Sequence, residues 1–221
     1  MTAFEKIKLA ALALAVSVAT VAGTGKSHAA EPETLTVAGG CFWCVESDFE
    51  SVPGVLEAVS GFTGGKASNP NYKQVTAGGT GHYEAVQITF DPDQVSRRSL
   101  LDMFFRSIDP TDAGGQFCDR GDSYRSAIFV GSNGEKSLAS AAKSNAQSEL
   151  GQTIVTPILD KGAFFPADAY HQDYYKGSKL IITRFGPKRQ AEAYKRYRTA
   201  CGRDARVKQL WGDAAPFADH H

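Results

Sequence analysis

The chain has 221 residues, with 24 Lys and Arg balanced by 24 Asp and Glu for a net charge of +0, and four cysteines. No basic stripe with interleaved aromatics is present, which argues against nucleic acid as a partner. Past its first thirty residues the chain is long enough for one domain with a substantial hydrophobic core.

Lys6 and Lys8 precede an apolar stretch over residues 9–22, and Ser27-His28-Ala29 supplies small residues suited to cleavage after Ala29. This is the layout of a secretory signal, too short for a comfortable membrane span, so residues 1–29 are expected to be removed and the protein to be periplasmic or secreted. The core domain is expected over residues 30–201, with 202–221 as a loosely attached tail. Leu35-Thr36-Val37-Ala38 reads as a strand that breaks on Gly39-Gly40 and delivers Cys41 to the first turn of a helix running to about Ser51. The unpaired N–H groups and positive dipole end of that turn favour an anion, so a reactive thiolate suits the position.

A strand is predicted over 55–62, a long polar loop over 63–81, and a strand over 83–90 with Val86, Ile88 and Phe90 on one face. A helix over 99–108 places Leu101, Phe104, Phe105 and Ile108 on one stripe. A second polar loop spans 109–123, followed by a strand over 125–130, a helix over 135–150 and a last strand over 153–159. This order predicts an α+β fold: a ferredoxin-like two-layer sandwich, a split βαβ sheet with helices packed on one face, carrying long functional loops. The basic residues near the C-terminus (Lys188, Arg189, Lys195, Arg196, Arg198, Arg203, Arg206, Lys208) read as a solvated helix face.

Cys41, Cys44, Cys118 and Cys201 are too scattered for a zinc ligand set, and a domain of this size needs no disulfide staples, so redox catalysis is the reading favoured. The stretches Gly40-Cys41-Phe42-Trp43-Cys44, Asn71-Tyr72, Gly81-His82-Tyr83-Glu84-Ala85-Val86, Asp119-Arg120-Gly121-Asp122-Ser123-Tyr124-Arg125-Ser126-Ala127-Ile128 and Tyr170-His171-Gln172-Asp173-Tyr174-Tyr175 resemble, in order, the motifs of type A peptide methionine sulfoxide reductases. The resemblance covers residues 35–201. It implies reduction of methionine S-sulfoxide, free or in oxidised proteins, with no metal and no organic cofactor, by an enzyme expected to be a monomer.

By the same resemblance Cys41 is the nucleophile, and Glu84 the acid that protonates the departing oxygen, provided burial keeps it protonated. Tyr72, Tyr124 and Asp119 would serve the sulfoxide oxygen and its water network. Phe42 and Trp43 would grip the S-methyl group. A helix terminus contributes roughly 0.3–1 kcal/mol, too little to activate a cysteine alone, which is why a proton donor is needed. The sulfenic acid left on Cys41 must be resolved by a second thiol. Cys201 matches the family's resolving position. Cys44 would need local unwinding of the helix to bridge. Cys118 stands where the family often has asparagine and is expected to be buried and inert, with its role left open. His171 and Asp173 are read as structural. The family's reductant is a thioredoxin; an exported enzyme would need a thioredoxin-like partner outside the cytosol. The competing reading is a Cys-x-x-Cys thiol–disulfide oxidoreductase, but the nearest candidate for its proline loop, Val155-Thr156-Pro157, lies far from Cys41 in sequence.

Overall fold

The computed structural model describes residues 30–219; the expected signal segment and the last two histidines lie outside them. In chain order the elements are β1 (Glu33–Gly39), α1 (Phe42–Glu50), β2 (Val55–Thr63), α2 (Tyr72–Thr76), β3 (Tyr83–Phe90), α3 (Arg97–Arg106), β4 (Gly115–Gln116), β5 (Asp119–Arg120) and β6 (Ser126–Val130). There follow α4 (Asn133–Leu150), β7 (Ile158–Asp160), β8 (Phe165–Pro166), β9 (Leu180–Thr183), β10 (Gly186–Arg189), α5 (Gln190–Cys201) and α6 (Arg203–Trp211). The fold is α+β. Its main sheet has six strands in the order β7-β6-β1-β3-β2-β8, all neighbours antiparallel except β6 and β7.

Period-two alternation decides which side chains go where. Leu35 and Val37, Val86, Ile88 and Phe90, and Ile128 and Val130 point to one face, where they meet Phe42, Val45 and Phe49 of α1, Leu100, Leu101, Phe104 and Phe105 of α3, and the alanine stripe of α4. Each such large side chain contributes about 1.5–3 kcal/mol on burial. The opposite face carries a smaller cluster, Ala38, Tyr83, Ala85, Ala127 and Phe129, covered by Leu159 and Phe164. Glu84 shares the α1-facing side with Val86, so the pleat itself turns a carboxyl toward the helix start.

Several expectations need correction. The loop predicted over 63–81 contains α2, which exists because Asn71 and Gln74 form a reciprocal capping box, each side chain accepting the other's backbone N–H at 3.0 Å. The last predicted strand, 153–159, shrinks to three residues. Ile154 turns into the core instead, and Pro157, which has no N–H to give, serves the ladder only through its carbonyl, accepting from Ile128 N–H at 3.0 Å. The segment after Cys201 is not loose: Val207, Trp211 and Phe217 are buried in the main core. Nor are all the cations of the C-terminal basic stretch solvated. Arg198 and Arg203 are buried and both pair with the fully buried Asp48 of α1, at 2.8 and 3.6 Å.

Candidate active site

β1 stops on Gly39-Gly40 because nothing larger fits. Gly40 has φ +83, and a Cβ there would stand 2.6 Å from Cβ of Gln116. The turn so formed makes Cys41 the N-cap of α1, with its carbonyl accepting from Cys44 N–H at 3.0 Å. Gln116 is locked in turn by two 2.8 Å hydrogen bonds between its side chain and the backbone of Asp109. The contact with Gly40 therefore brings the β4–β5 hairpin, and with it Cys118 and Asp119, against the start of α1.

The N–H that opens that helix is taken by Glu84. Its Oε2 accepts from Phe42 N–H at 3.1 Å, while Oε1 is buried with no hydrogen-bond partner. Burial pushes the Glu84 carboxyl up from 4.5 to about 8, the Phe42 N–H pulling the other way. At neutral pH it is a carboxylic acid. The expectation that the helix end favours a Cys41 thiolate is corrected accordingly. Hydrogen bonding to Cys44 and burial raise the Cys41 thiol well above its ordinary value, and Glu84 adds to the effect. Cys44 is lowered to about 7 by the same hydrogen bond, with help from Arg203 and Arg198.

Phe42 and Trp43 open an aromatic wall. Trp43 lies flat on Tyr174, ring centroids 3.6 Å apart, and Phe42 packs on Tyr72 at 6.1 Å. His171 lies between them, 4.1 Å from the Tyr72 ring and 5.6 Å from Trp43. Tyr72, at the start of α2, and Tyr124, closing a short turn after β5, face Glu84. Burial raises both phenols, so each keeps its proton. Asp119 is raised by burial, against the opposing pull of Arg203 and Arg184. All eight residues singled out from the sequence (Cys41, Phe42, Trp43, Tyr72, Glu84, Asp119, Tyr124, Cys201) line one cavity of about 410 Å³.

The cysteines pair otherwise than expected. Cys118 is exposed, not buried and inert, and it is bridged to Cys201 with Cα atoms 4.9 Å apart. Cys41 and Cys44 are free thiols, so the close Cys-x-x-Cys pair is not the disulfide, which disfavours the thiol–disulfide oxidoreductase reading. Sequence reasoning also missed Arg203. It donates to Gly39 O at 3.0 Å and Ser107 O at 2.9 Å and lies over the Phe117 ring, tying the residue after Cys201-Gly202 to both sides of the cavity. Its place two residues after Cys201 in a basic stretch was the only hint.

A family model described as peptide methionine sulfoxide reductase matches residues 33–214. The chain belongs to that family. It is 49% identical over 189 residues to peptide methionine sulfoxide reductase MsrA 2 of Rhizobium meliloti, covering 86% of this chain and 88% of the relative. It is 46% identical over 207 residues to MsrA 2 of Caulobacter vibrioides, covering 93% and 97%. Among solved structures, reduced Mxr1 from Saccharomyces cerevisiae superposes with a TM-score of 0.63 at 30% identity, over 66% of this chain and 85% of that one. Methionine sulfoxide reductase A of Corynebacterium diphtheriae does so with 0.61 at 31%, over 66% and 74%. The protein is a methionine sulfoxide reductase, an oxidoreductase working through cysteine. Among the described residues no helix is long and apolar enough to cross a membrane.

Proposed function

We propose that Cys41 attacks the sulfoxide sulfur while Glu84 delivers the proton that the departing oxygen needs. Attack joins the Cys41 sulfur to the substrate sulfur; the oxygen, once protonated, then leaves the substrate sulfur for the Cys41 sulfur as that S–S bond breaks, so methionine departs and Cys41 is left as a sulfenic acid. The observation that carries this is the buried, protonated Glu84, hydrogen-bonded to the N–H of the residue after Cys41. Tyr72 and Tyr124, both protonated, donate to the sulfoxide oxygen, and Asp119 orders the water beside it. Phe42 and Trp43 supply the apolar wall for the S-methyl group, which excludes water from the sulfur.

Resolution follows as a relay. The Cys201 thiol displaces water from the sulfenic acid, forming a Cys41–Cys201 disulfide. Cys118 thiolate then attacks Cys201, releasing Cys41 as a thiol and leaving Cys118–Cys201. What supports this order is that the bridge found joins Cys118 to Cys201 while Cys41 stays free, and that Cys118 is exposed to an outside dithiol. A thioredoxin-like protein is the donor proposed. No organic cofactor or metal enters any step.

The strand order β6-β1-β3-β2 with α1 and α3 packed on one face supports a ferredoxin-like core. Export to the periplasm or beyond rests on the charge and apolar pattern of residues 1–29 alone, and a monomeric enzyme on a cavity complete within one chain. The reading is tested with the two resolved epimers of methionine sulfoxide and dithiothreitol. Wild type consumes the S epimer only and Cys41→Ser consumes neither. Turnover by Cys41→Ser, or of the R epimer alone, would contradict it.

A further inference from the structure

Three of the six large apolar side chains most exposed among the described residues gather at one place. Tyr170 (40% exposed) and Ile182 (82%) line the mouth of the reactive cavity, and Leu180 (66%) precedes Ile182 by two residues on β9. Residues two apart share a strand face, so Leu180 and Ile182 form one apolar outer surface while Ile181 turns inward against the Cys44–Tyr174–Tyr194 cluster. Lys179 Nζ lies 5.5 Å from the Tyr170 ring centroid, which holds the start of β9 beside that ring.

The ribbon is held firmly. Thr183 Oγ1 donates to Gly186 O at 2.8 Å across the β9–β10 turn, Phe185 packs on Tyr197 of α5 at 5.5 Å, and Gln190 N–H donates to Lys179 O at 3.0 Å. An apolar face kept exposed by a braced ribbon marks a contact surface. Residues 174–191 contain no Asp or Glu, while Lys176, Lys179, Arg184, Lys188 and Arg189 are cationic.

The cavity, about 410 Å³, falls in the size range that encloses a drug-sized molecule, much more than a methionine sulfoxide side chain. Its lining includes Ile181, Ile182 and Arg184 of the ribbon. A main chain carrying the oxidised residue must leave through that mouth. We propose that the outer face of β9, with Tyr170, is the subsite for the polypeptide flanking the oxidised methionine, taking an extended segment with apolar side chains and an acidic residue toward Arg184. The inference rests on the reduction proposed above and specifies its substrate as a locally unfolded oxidised protein.

The test compares a capped single methionine sulfoxide with a short peptide carrying methionine sulfoxide between leucine and aspartate. Dithiothreitol is the reductant, so that no donor protein takes part. The proteins are wild type, Leu180→Ser, Ile182→Ser and the double variant, each checked by thermal unfolding. The ratio of kcat/KM for peptide to kcat/KM for the capped residue falls about tenfold in the double variant, as expected when two partly buried apolar contacts are lost. An unchanged ratio overturns the inference, whether both substrates slow alike or neither does. So does a defect seen only when a thioredoxin replaces dithiothreitol, which would assign the face to the donor. Wild-type inactivity on the capped residue would overturn the reduction reading, and the inference with it.

Discussion

Replacing Glu84 by Gln removes the proton while keeping the shape and the oxygen that accepts from Phe42 N–H at 3.1 Å. A carboxyl held at about 8 instead of 4.5 is about nine-tenths protonated at pH 7, where an ordinary one retains a few parts per thousand. The raised value corresponds to roughly 5 kcal/mol against ionisation, with burial its largest cause. A positioned acid of this kind is worth about 10²–10⁴ in rate, and Glu84→Gln is expected to lose that much of kcat with the S epimer. The pH dependence follows from the proton count. The reactive pair carries one proton between Cys41 and Glu84, and the first proton to leave, near pH 8, comes from Glu84, because Cys41 is raised well above 9.0. In wild type, kcat/KM therefore rises through about pH 8 and falls again once the second proton is lost. In Glu84→Gln only the ascending limb, governed by Cys41, remains. Stopped assays of methionine release across the pH range measure both features. A variant that keeps more than about a tenth of the wild-type rate, or keeps the alkaline fall, would refute Glu84 as the acid.

Cys118→Ser is expected to complete a first turnover at the wild-type rate and to stall in cycling with thioredoxin, with a Cys41–Cys201 disulfide visible by peptide mapping; normal cycling would remove Cys118 from the relay. Arg203→Met removes one of the two buried cations paired with Asp48 and frees the carbonyls of Gly39 and Ser107, at a cost of about 3 kcal/mol in urea unfolding. A change under about 0.5 kcal/mol would show that the tail does not brace the site. Gly40→Ala forces a Cβ into Gln116 at φ +83 and is expected to destabilise by about 1–3 kcal/mol and to depress activity with it; a fully active, stable variant would show that the turn tolerates a side chain.

What was legible in the chain was whatever depends on local pattern. Period-two alternation gave β3 and the face of Val86, Ile88 and Phe90, and the double glycine gave the break before Cys41. The family motifs gave eight residues that meet in one cavity. Features that depend on distant partners were not legible. The Cys118–Cys201 bridge spans 83 residues, and neither cysteine has a neighbour that announces it. Arg198 and Arg203 look like solvent cations until Asp48, on a helix some 150 residues earlier, turns out to be buried beneath them. The thiolate expectation failed for a related reason. The helix end does offer a free N–H, but the group that takes it is the protonated carboxyl of Glu84 on β3, 42 residues away.

The claim on which the account turns is that oxygen passes from substrate to the Cys41 sulfur. It is tested most directly by mixing the Cys118→Ser/Cys201→Ser double variant with the S epimer and dimedone and locating the adduct by mass spectrometry. One methionine released per enzyme, with the adduct on Cys41, is the result predicted. An adduct on Cys44, or methionine released with no trapped sulfenic acid and no Cys41–Cys44 bridge, would contradict it.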